Sequence, residues 1–303
     1  MNHRYNYQDI LAASQRVDWR VEDLIGGDRR LDFTKPFMPE ALARVEPLNF
    51  LTPREQVVLN QIRGHSYLSI FGLVEEFILP FVLDHARPQL NSDDHRTRAL
   101  LQFASEEAKH IHLFKCFRAE FEAGFGMPCP VIGPPEEIAK AVLAHDPLSV
   151  AILILQVEWM TQSHYLGSVH DNQDLDPQFR RLLKHHWMEE AQHAKLDTLM
   201  VEALAEGRTV AERVRATEGY LIIGGMFDAA LKTQTEFDLD SFEQAVGRRL
   251  DLAERTQLIL QQHQANRWTY LGSGMTHPKF VEMLGNLCPE AEHMIARVAP
   301  AFC

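Results

Sequence analysis

The stretch that decides the fold is Lys184-His185-His186-Trp187-Met188-Glu189-Glu190-Ala191-Gln192-His193. If it is helical, His186, Glu190 and His193 follow one another at intervals of four and three residues, so their side chains lie on one helix face. A carboxylate and two imidazoles on one face are typical of a metal site. A single Glu-x-x-His is more often a solvated helical pair, so the flanking sequence has to decide between these interpretations.

A second Glu-x-x-His supports the metal site, because both copies have an acid at the same distance upstream. Glu107 and His110 form the second pair. Glu190 follows Glu158 by 32 positions, and the same offset before Glu107 falls on Glu75. The chain therefore reads as two copies of one unit, a helix with a Glu followed by a helix with Glu-x-x-His.

Capping residues and breakers predict where the helices of these two units lie. The four expected helices begin at Pro53, after Asp93, at Pro147 and at Pro177, and end near His85, Ala123, His170 and Glu206. A fifth helix is expected from Val210 to about Thr235, with a new helix starting at Asp240-Ser241-Phe242-Glu243. No segment has the period-two pattern of a strand. The predicted class is all-α.

The predicted organisation is one domain over residues 1–303. Residues 1–50 form an N-terminal arm, residues 52–206 the four-helix bundle, and residues 207–303 additional C-terminal helices. The net charge of −12 argues against nucleic acid and anionic membrane surfaces as partners. Four scattered cysteines, the absence of an apolar N-terminal stretch and short apolar runs indicate a cytoplasmic protein without a membrane span.

The candidate metal ligands are the acids and imidazoles that the repeat aligns: Glu75, Glu107, His110, Glu158, His186, Glu190 and His193. Iron and manganese take carboxylate oxygen and imidazole nitrogen. Four carboxylates in a bundle core need cations between them. Glu76 remains an alternative to Glu75 as the ligand from the first helix. His186 has no counterpart in the other unit, where Phe103 takes its place, so it is either a ligand or a residue just outside the ligands.

These motifs resemble the ferritin-like di-iron carboxylate superfamily. The third histidine, in His-x-x-x-Glu-x-x-His, makes the chain similar to the p-aminobenzoate N-oxygenase family over about residues 55–206. The resemblance implies that one iron takes Glu107 and His110 and the other takes His186 and His193, while Glu75, Glu158 and Glu190 complete or bridge the site. It also implies O2 activation, oxidation of an arylamine, an external electron donor and a homodimer.

Three alternatives stay open at this point. The first is another di-iron oxidation, desaturation or C-hydroxylation, which an apolar pocket beside the fifth helix would fit. The second is a ferroxidase or metal store, although storage bundles are much shorter and leave the C-terminal helices without a role. The third is a manganese or mixed Mn/Fe pair, with which the ligand set is equally compatible.

Overall fold

The computed structural model describes residues 4–303, so the first three residues of the expected N-terminal arm lie outside it. Within this part the chain forms helices joined by turns and longer irregular segments and no β-strand, which confirms the all-α prediction. The helices are α1 Tyr7–Ser14, α2 Glu40–Ala43, α3 Pro53–Ala86, α4 Asp94–Phe125, α5 Pro135–Leu143, α6 Pro147–His164, α7 Pro177–Ala205, α8 Val210–Val246, α9 Leu252–Arg267, α10 Ser273–Met275, α11 Pro278–Leu287 and α12 Pro289–Val298.

Side-chain caps start the four long helices that carry the candidate ligands. Thr52 accepts a hydrogen bond from the Glu55 backbone amide, and the Glu55 carboxylate accepts one from the Thr52 amide, so a complete capping box opens α3. Asp93, Asp146 and Asp176 cap α4, α6 and α7 by accepting a hydrogen bond from a backbone amide of the first turn, without the reciprocal bond of a capping box. These caps satisfy amides that a helix start leaves without partners.

The four helices that carry the candidate ligands, α3, α4, α6 and α7, form the bundle. α3 packs along α4, and α6 packs along α7, so each predicted unit is one pair of neighbouring helices. α8 lies across both α3 and α6, while α1 packs on α4 and α7. The expected bundle with extra helices on both sides is therefore present.

The prediction for the fifth helix was wrong at its C-terminal end. α8 runs without a break from Val210 to Val246, through the position where a new helix was expected. The Ser241 hydroxyl donates to the Phe237 carbonyl four residues earlier, so it bonds inside the helix and does not cap a new one. The helix ends at Gly247, whose φ of 71° is the left-handed conformation that glycine adopts without strain.

One helix in residues 4–303, α3 with the turn that follows it, is long and apolar enough to cross a membrane by length and composition. Of its most apolar window, 72% is buried inside the protein. α3 carries Glu75 in the bundle, and burial against the other helices accounts for its composition.

Candidate metal centre

The bundle brings six of the seven candidate ligands into two overlapping groups. One group consists of Glu75, His110, His186 and Glu190, and the other of Glu107, His110, Glu190 and His193. In each group the four potential ligand atoms all lie within 4.8 Å of one another, and every residue is buried. His110 and Glu190 belong to both groups, which is the arrangement expected where two ions sit side by side.

Short distances link these side chains across helices. The Nε2 atom of His186 lies 3.1 Å from Glu75 Oε1 and 3.0 Å from Glu190 Oε1. The Nδ1 atom of His193 lies 2.9 Å from Glu107 Oε1. These contacts pair His186 with Glu75 and His193 with Glu107, whereas the division of ligands between two irons that the resemblance implies stays a prediction.

Glu158 lies against Glu190 and belongs to neither group of four. It is 1% exposed and is the only acid among the sixteen buried residues of α6, ten of which are apolar. Burial raises the pKa of Glu158 well above its usual value, and the neighbouring Glu190 carboxylate raises it further. Burial acts on Glu190 in the same sense, yet His186 and His193 hold the pKa of that carboxyl well below its usual value.

Seven buried polar atoms of this cluster form no hydrogen bond, although several of them lie about 3 Å from another side chain, as His193 Nδ1 lies 2.9 Å from Glu107 Oε1. The seven atoms are Glu75 Oε2, Glu107 Oε1, Glu107 Oε2, His110 Nδ1, Glu158 Oε2, Glu190 Oε1 and His193 Nδ1. Buried polar atoms without partners are rare in folded proteins, and each costs about 1–3 kcal/mol. Carboxylate oxygens and imidazole nitrogens that converge without bonding to one another are the donor set that iron or manganese would satisfy. The residues therefore fit a two-metal centre.

The other nitrogen of two histidines is held by a glutamate from the opposite helix. His110 Nε2 lies 2.8 Å from Glu189 Oε2, and His193 Nε2 lies 2.9 Å from Glu106 Oε2. Burial opposes protonation of His110, but Glu189 and its other carboxylate neighbours raise the pKa of His110 well above its usual value. Partners of this kind fix the ring so that Nδ1 faces the centre.

Residues from the N-terminal segment complete the surroundings of the centre, which sequence reasoning missed. Ser14 donates a hydrogen bond to Glu106, and Lys109 forms an ion pair with Glu189. The indole of Trp19 is nearly parallel to the His110 ring, with ring centroids 6.2 Å apart. The Lys109 ammonium lies 4.1 Å from the centroid of the Trp19 indole. Neither Ser14 nor Trp19 stands in a local motif, so no signal in the sequence indicated them.

The structure also separates Glu75 from Glu76 and adds one further acid. Glu75 is 3% exposed and lies in the cluster, whereas Glu76 reaches Lys115 at 3.5 Å outside it. Asp197 is fully buried one turn after His193, and burial raises the pKa of its carboxyl well above the usual value. Its place on the face that carries His186, Glu190 and His193 is the signal that could have identified it.

Aromatic rings line the centre on the side of His186 and His193. Phe71 and Phe114 lie with ring centroids 5.5 Å and 5.2 Å from His186, and Phe103 lies 4.0 Å from His193. All three phenylalanines are at most 2% exposed. Phe103 thus fills the position that corresponds to His186 in the other unit and packs on the ring opposite.

The fold and this cluster define a ferritin-like helical protein with a carboxylate and histidine site for two metal ions. The family model of p-aminobenzoate N-oxygenase AurF matches residues 6–269. The chain belongs to this family, and it is an oxidoreductase of the di-iron type.

The solved structures to which the chain is similar include R2-like ligand-binding oxidases. One with a Mn/Fe cofactor has a TM-score of 0.43 and 14% identity, over 87% of this chain and 92% of that chain. A variant with an Fe/Fe cofactor has a TM-score of 0.44 and 14% identity, over 87% and 92%. Another variant with Mn/Fe has a TM-score of 0.45 and 15% identity, over 88% and 94%. No curated protein matches the sequence significantly.

Proposed function

We propose that the chain is a di-iron oxygenase that N-oxygenates a small arylamine, with O2 as oxidant and an external electron donor. The proposed metal ligands are Glu75, Glu107, His110, Glu158, His186, Glu190 and His193. The observation that carries the proposal is the set of seven buried oxygen and nitrogen atoms without partners, converging in a chain of this family. Two divalent ions would balance the four carboxylates in formal charge.

The reaction balances with the reactants named. One atom of O2 enters an N–H bond of the arylamine and gives the hydroxylamine, and the other atom leaves as water with two protons. Two electrons come from the donor, a reduced flavoprotein or iron–sulfur protein. Two iron ions held by the proposed ligands would supply the redox chemistry with O2.

The chain's own residues orient the ligands and exclude water. Glu106 and Glu189 hold the His193 and His110 rings with Nδ1 towards the centre. Phe71, Phe103 and Phe114 keep bulk water from the histidines, and dry surroundings strengthen every charge interaction inside.

The proposal also covers the domain organisation, the cellular location and the oligomeric state of the protein. A single domain over residues 1–303 is supported by the N-terminal segment and the C-terminal helices, whose buried side chains join those of the bundle in one core. A cytoplasmic location is supported by four free cysteines. The homodimer rests on the family resemblance.

The test is product analysis with labelled oxygen. The iron-loaded protein is mixed with a reductant, ¹⁸O2 and a panel of primary arylamines, and the products are analysed by mass spectrometry. We expect one ¹⁸O on the nitrogen of at least one amine, and no product from a Glu190→Ala variant. Iron uptake without any oxygenated product would refute the proposal in favour of a metal store.

A second candidate is C–H hydroxylation of a small apolar molecule. An apolar cavity lined in part by α8 favours it, since such a cavity orients a substrate through shape and not through a charged group. The same labelling experiment separates the two functions, because the label would then appear on carbon and not on nitrogen.

A further inference from the structure

An apolar cavity of about 210 Å³ borders α3 and α6, two of the helices that carry the proposed ligands. Side chains of α3, α5, α6 and α8 line it. Val74 and Val157 belong to this lining, and each directly precedes a proposed ligand, Glu75 and Glu158. A larger groove of about 730 Å³ lies at the surface near Tyr5, but none of the proposed ligands or their immediate neighbours lines it. The smaller cavity is therefore the candidate substrate site, because two of its lining residues adjoin proposed ligands along the chain.

The lining of this cavity contains no positive charge. Apart from one residue, its side chains are aliphatic or aromatic, and none is Lys, Arg or His. The exception is Glu137, an exposed acid on α5 at the rim. A carboxylate that entered would lose its hydration without gaining a cation, and burial of an unpaired charge is strongly unfavourable. Glu137 would add repulsion at the entrance.

The volume limits the size of the occupant. An apolar cavity of about 150 Å³ holds one benzene ring. The cavity here is larger by about the volume of one or two ring substituents. A long acyl chain would not be enclosed, and two fused rings with substituents would exceed the space.

We propose that the substrate is a single-ring arylamine without an acid group, bound in this cavity beside Glu75 and Glu158. This inference rests on the proposed function and narrows it. It separates the chain from an enzyme for p-aminobenzoate, whose carboxylate would have no counter-ion here. The ring would be held by contact with aliphatic and aromatic side chains such as Leu153 and Phe227.

Binding of two matched probes tests the inference directly. 4-Methylaniline and 4-aminobenzoate share the ring and the amine and differ in a methyl group against a carboxylate. Their affinities for the iron-loaded, oxygen-free protein are measured by titration calorimetry. We expect 4-methylaniline to bind at least tenfold more tightly. Equal or tighter binding of 4-aminobenzoate, or no binding of either probe, would overturn the inference.

Two neighbouring alanines on α8 provide a matched pair of variants. Ala230 lines the cavity, whereas Ala229 faces solvent. Ala230→Phe should weaken 4-methylaniline binding at least tenfold because the new ring occupies the cavity, and Ala229→Phe should leave it unchanged. Equal affinities in the two variants would contradict the placement of the substrate.

A charge variant at the rim keeps the test independent of cavity repacking. Glu137→Lys is on the exposed face of α5 and should fold like the parent. We expect it to raise the affinity for 4-aminobenzoate several-fold and to leave that for 4-methylaniline within twofold. No change in the 4-aminobenzoate affinity would contradict the charge argument.

Product analysis distinguishes failure of this inference from failure of the proposed function. If the protein oxidises the nitrogen of 4-aminobenzoate more efficiently than that of 4-methylaniline, N-oxygenation stands and the substrate class falls. If 4-methylaniline binds as expected but gains oxygen on its methyl carbon, the cavity assignment stands and N-oxygenation falls.

Discussion

His110 on α4 is held by Glu189 on α7, whose Oε2 lies 2.8 Å from the Nε2 atom of the imidazole. The relationship is reciprocal, because His193 on α7 is held at 2.9 Å by Glu106 on α4. In each Glu-Glu-x-x-His the second glutamate faces the centre and the first reaches the histidine of the other unit. The duplicated motif therefore ties the two halves of the bundle together at the site.

Loss of the contact between Glu189 and His110 should weaken metal binding. Glu189→Gln keeps the shape but removes the charge that supports His110, and we expect about tenfold lower metal affinity, since removal of such partners costs about 10–100-fold. Competition with a chromophoric chelator measures it. Glu76→Gln is the matched control, because Glu76 pairs with Lys115 outside the cluster. Equal affinities in the two variants would contradict the assigned role of Glu189.

Glu158 should lower the stability of the metal-free protein and raise that of the metal-loaded protein. Burial and the neighbouring Glu190 raise the pKa of Glu158 well above its usual value, so folding without metal at neutral pH must either protonate this acid or bury its charge. Glu158→Gln removes the acid, so we expect the chelated protein to gain about 1 kcal/mol in urea unfolding. The loaded protein should lose stability and bind fewer ions. A change of the same sign in both forms would argue against a ligand at this position.

Trp19 should slow the escape of metal on the side of His110. Its indole lies parallel to the His110 ring and contacts the Lys109 ammonium, a pairing worth about 0.5–2 kcal/mol. Trp19→Ala opens Lys109 and Glu189 to water, and we expect several-fold faster iron release to a chelator. Trp19→Phe keeps a ring in place and should release iron at close to the parent rate. An unchanged rate in Trp19→Ala would refute the covering role.

His65 should make the protein less stable in mild acid, away from the metal centre. It stacks on Phe121, and neither ring nitrogen has a partner. Burial lowers the pKa of His65 to about 4, and Arg118 lowers it further. The unfolded chain takes up the proton near pH 6.5 and the folded chain only near pH 4, so stability falls as the pH decreases between these values.

The size of the stability loss caused by His65 follows from its pKa shift, and one variant can isolate it. The loss approaches about 3 kcal/mol below pH 4. His65→Phe should remove it, so the stability difference between variant and parent should grow from pH 7.5 to pH 4.5 in chelated protein. The difference isolates His65 because the site acids titrate in both proteins. A difference that does not vary with pH would contradict the assignment.

The sequence predicted the bundle because its signals are local. A Thr or Asp cap marks each start and is followed by Pro in α3, α6 and α7, and helical spacing places each Glu-x-x-His on one face. The repeat offset also led to Glu75, which the structure buries in the cluster, and not to Glu76. These features need no knowledge of tertiary contacts.

The remaining parts of the site depend on contacts between distant segments. Trp19 and Ser14 approach the centre only because the N-terminal segment folds over α4 and α7. Glu106 and Glu189 directly precede proposed ligands in the sequence. Their bonds to His193 and His110 form only when α4 and α7 pack face to face, so the sequence alone did not indicate them. At the end of the fifth helix, Ser241 resembled a cap, yet packing kept α8 continuous to Val246.

The most direct test of the two-metal centre is anomalous scattering at the iron edge from crystals of the iron-loaded protein. The account predicts two peaks about 3.5–4 Å apart. Both should lie among Glu75, Glu107, His110, Glu158, His186, Glu190 and His193, with Glu107 and His110 at one peak and His186 and His193 at the other. A single peak, no peak, or Glu158 and Glu190 turned away from the peaks would contradict it.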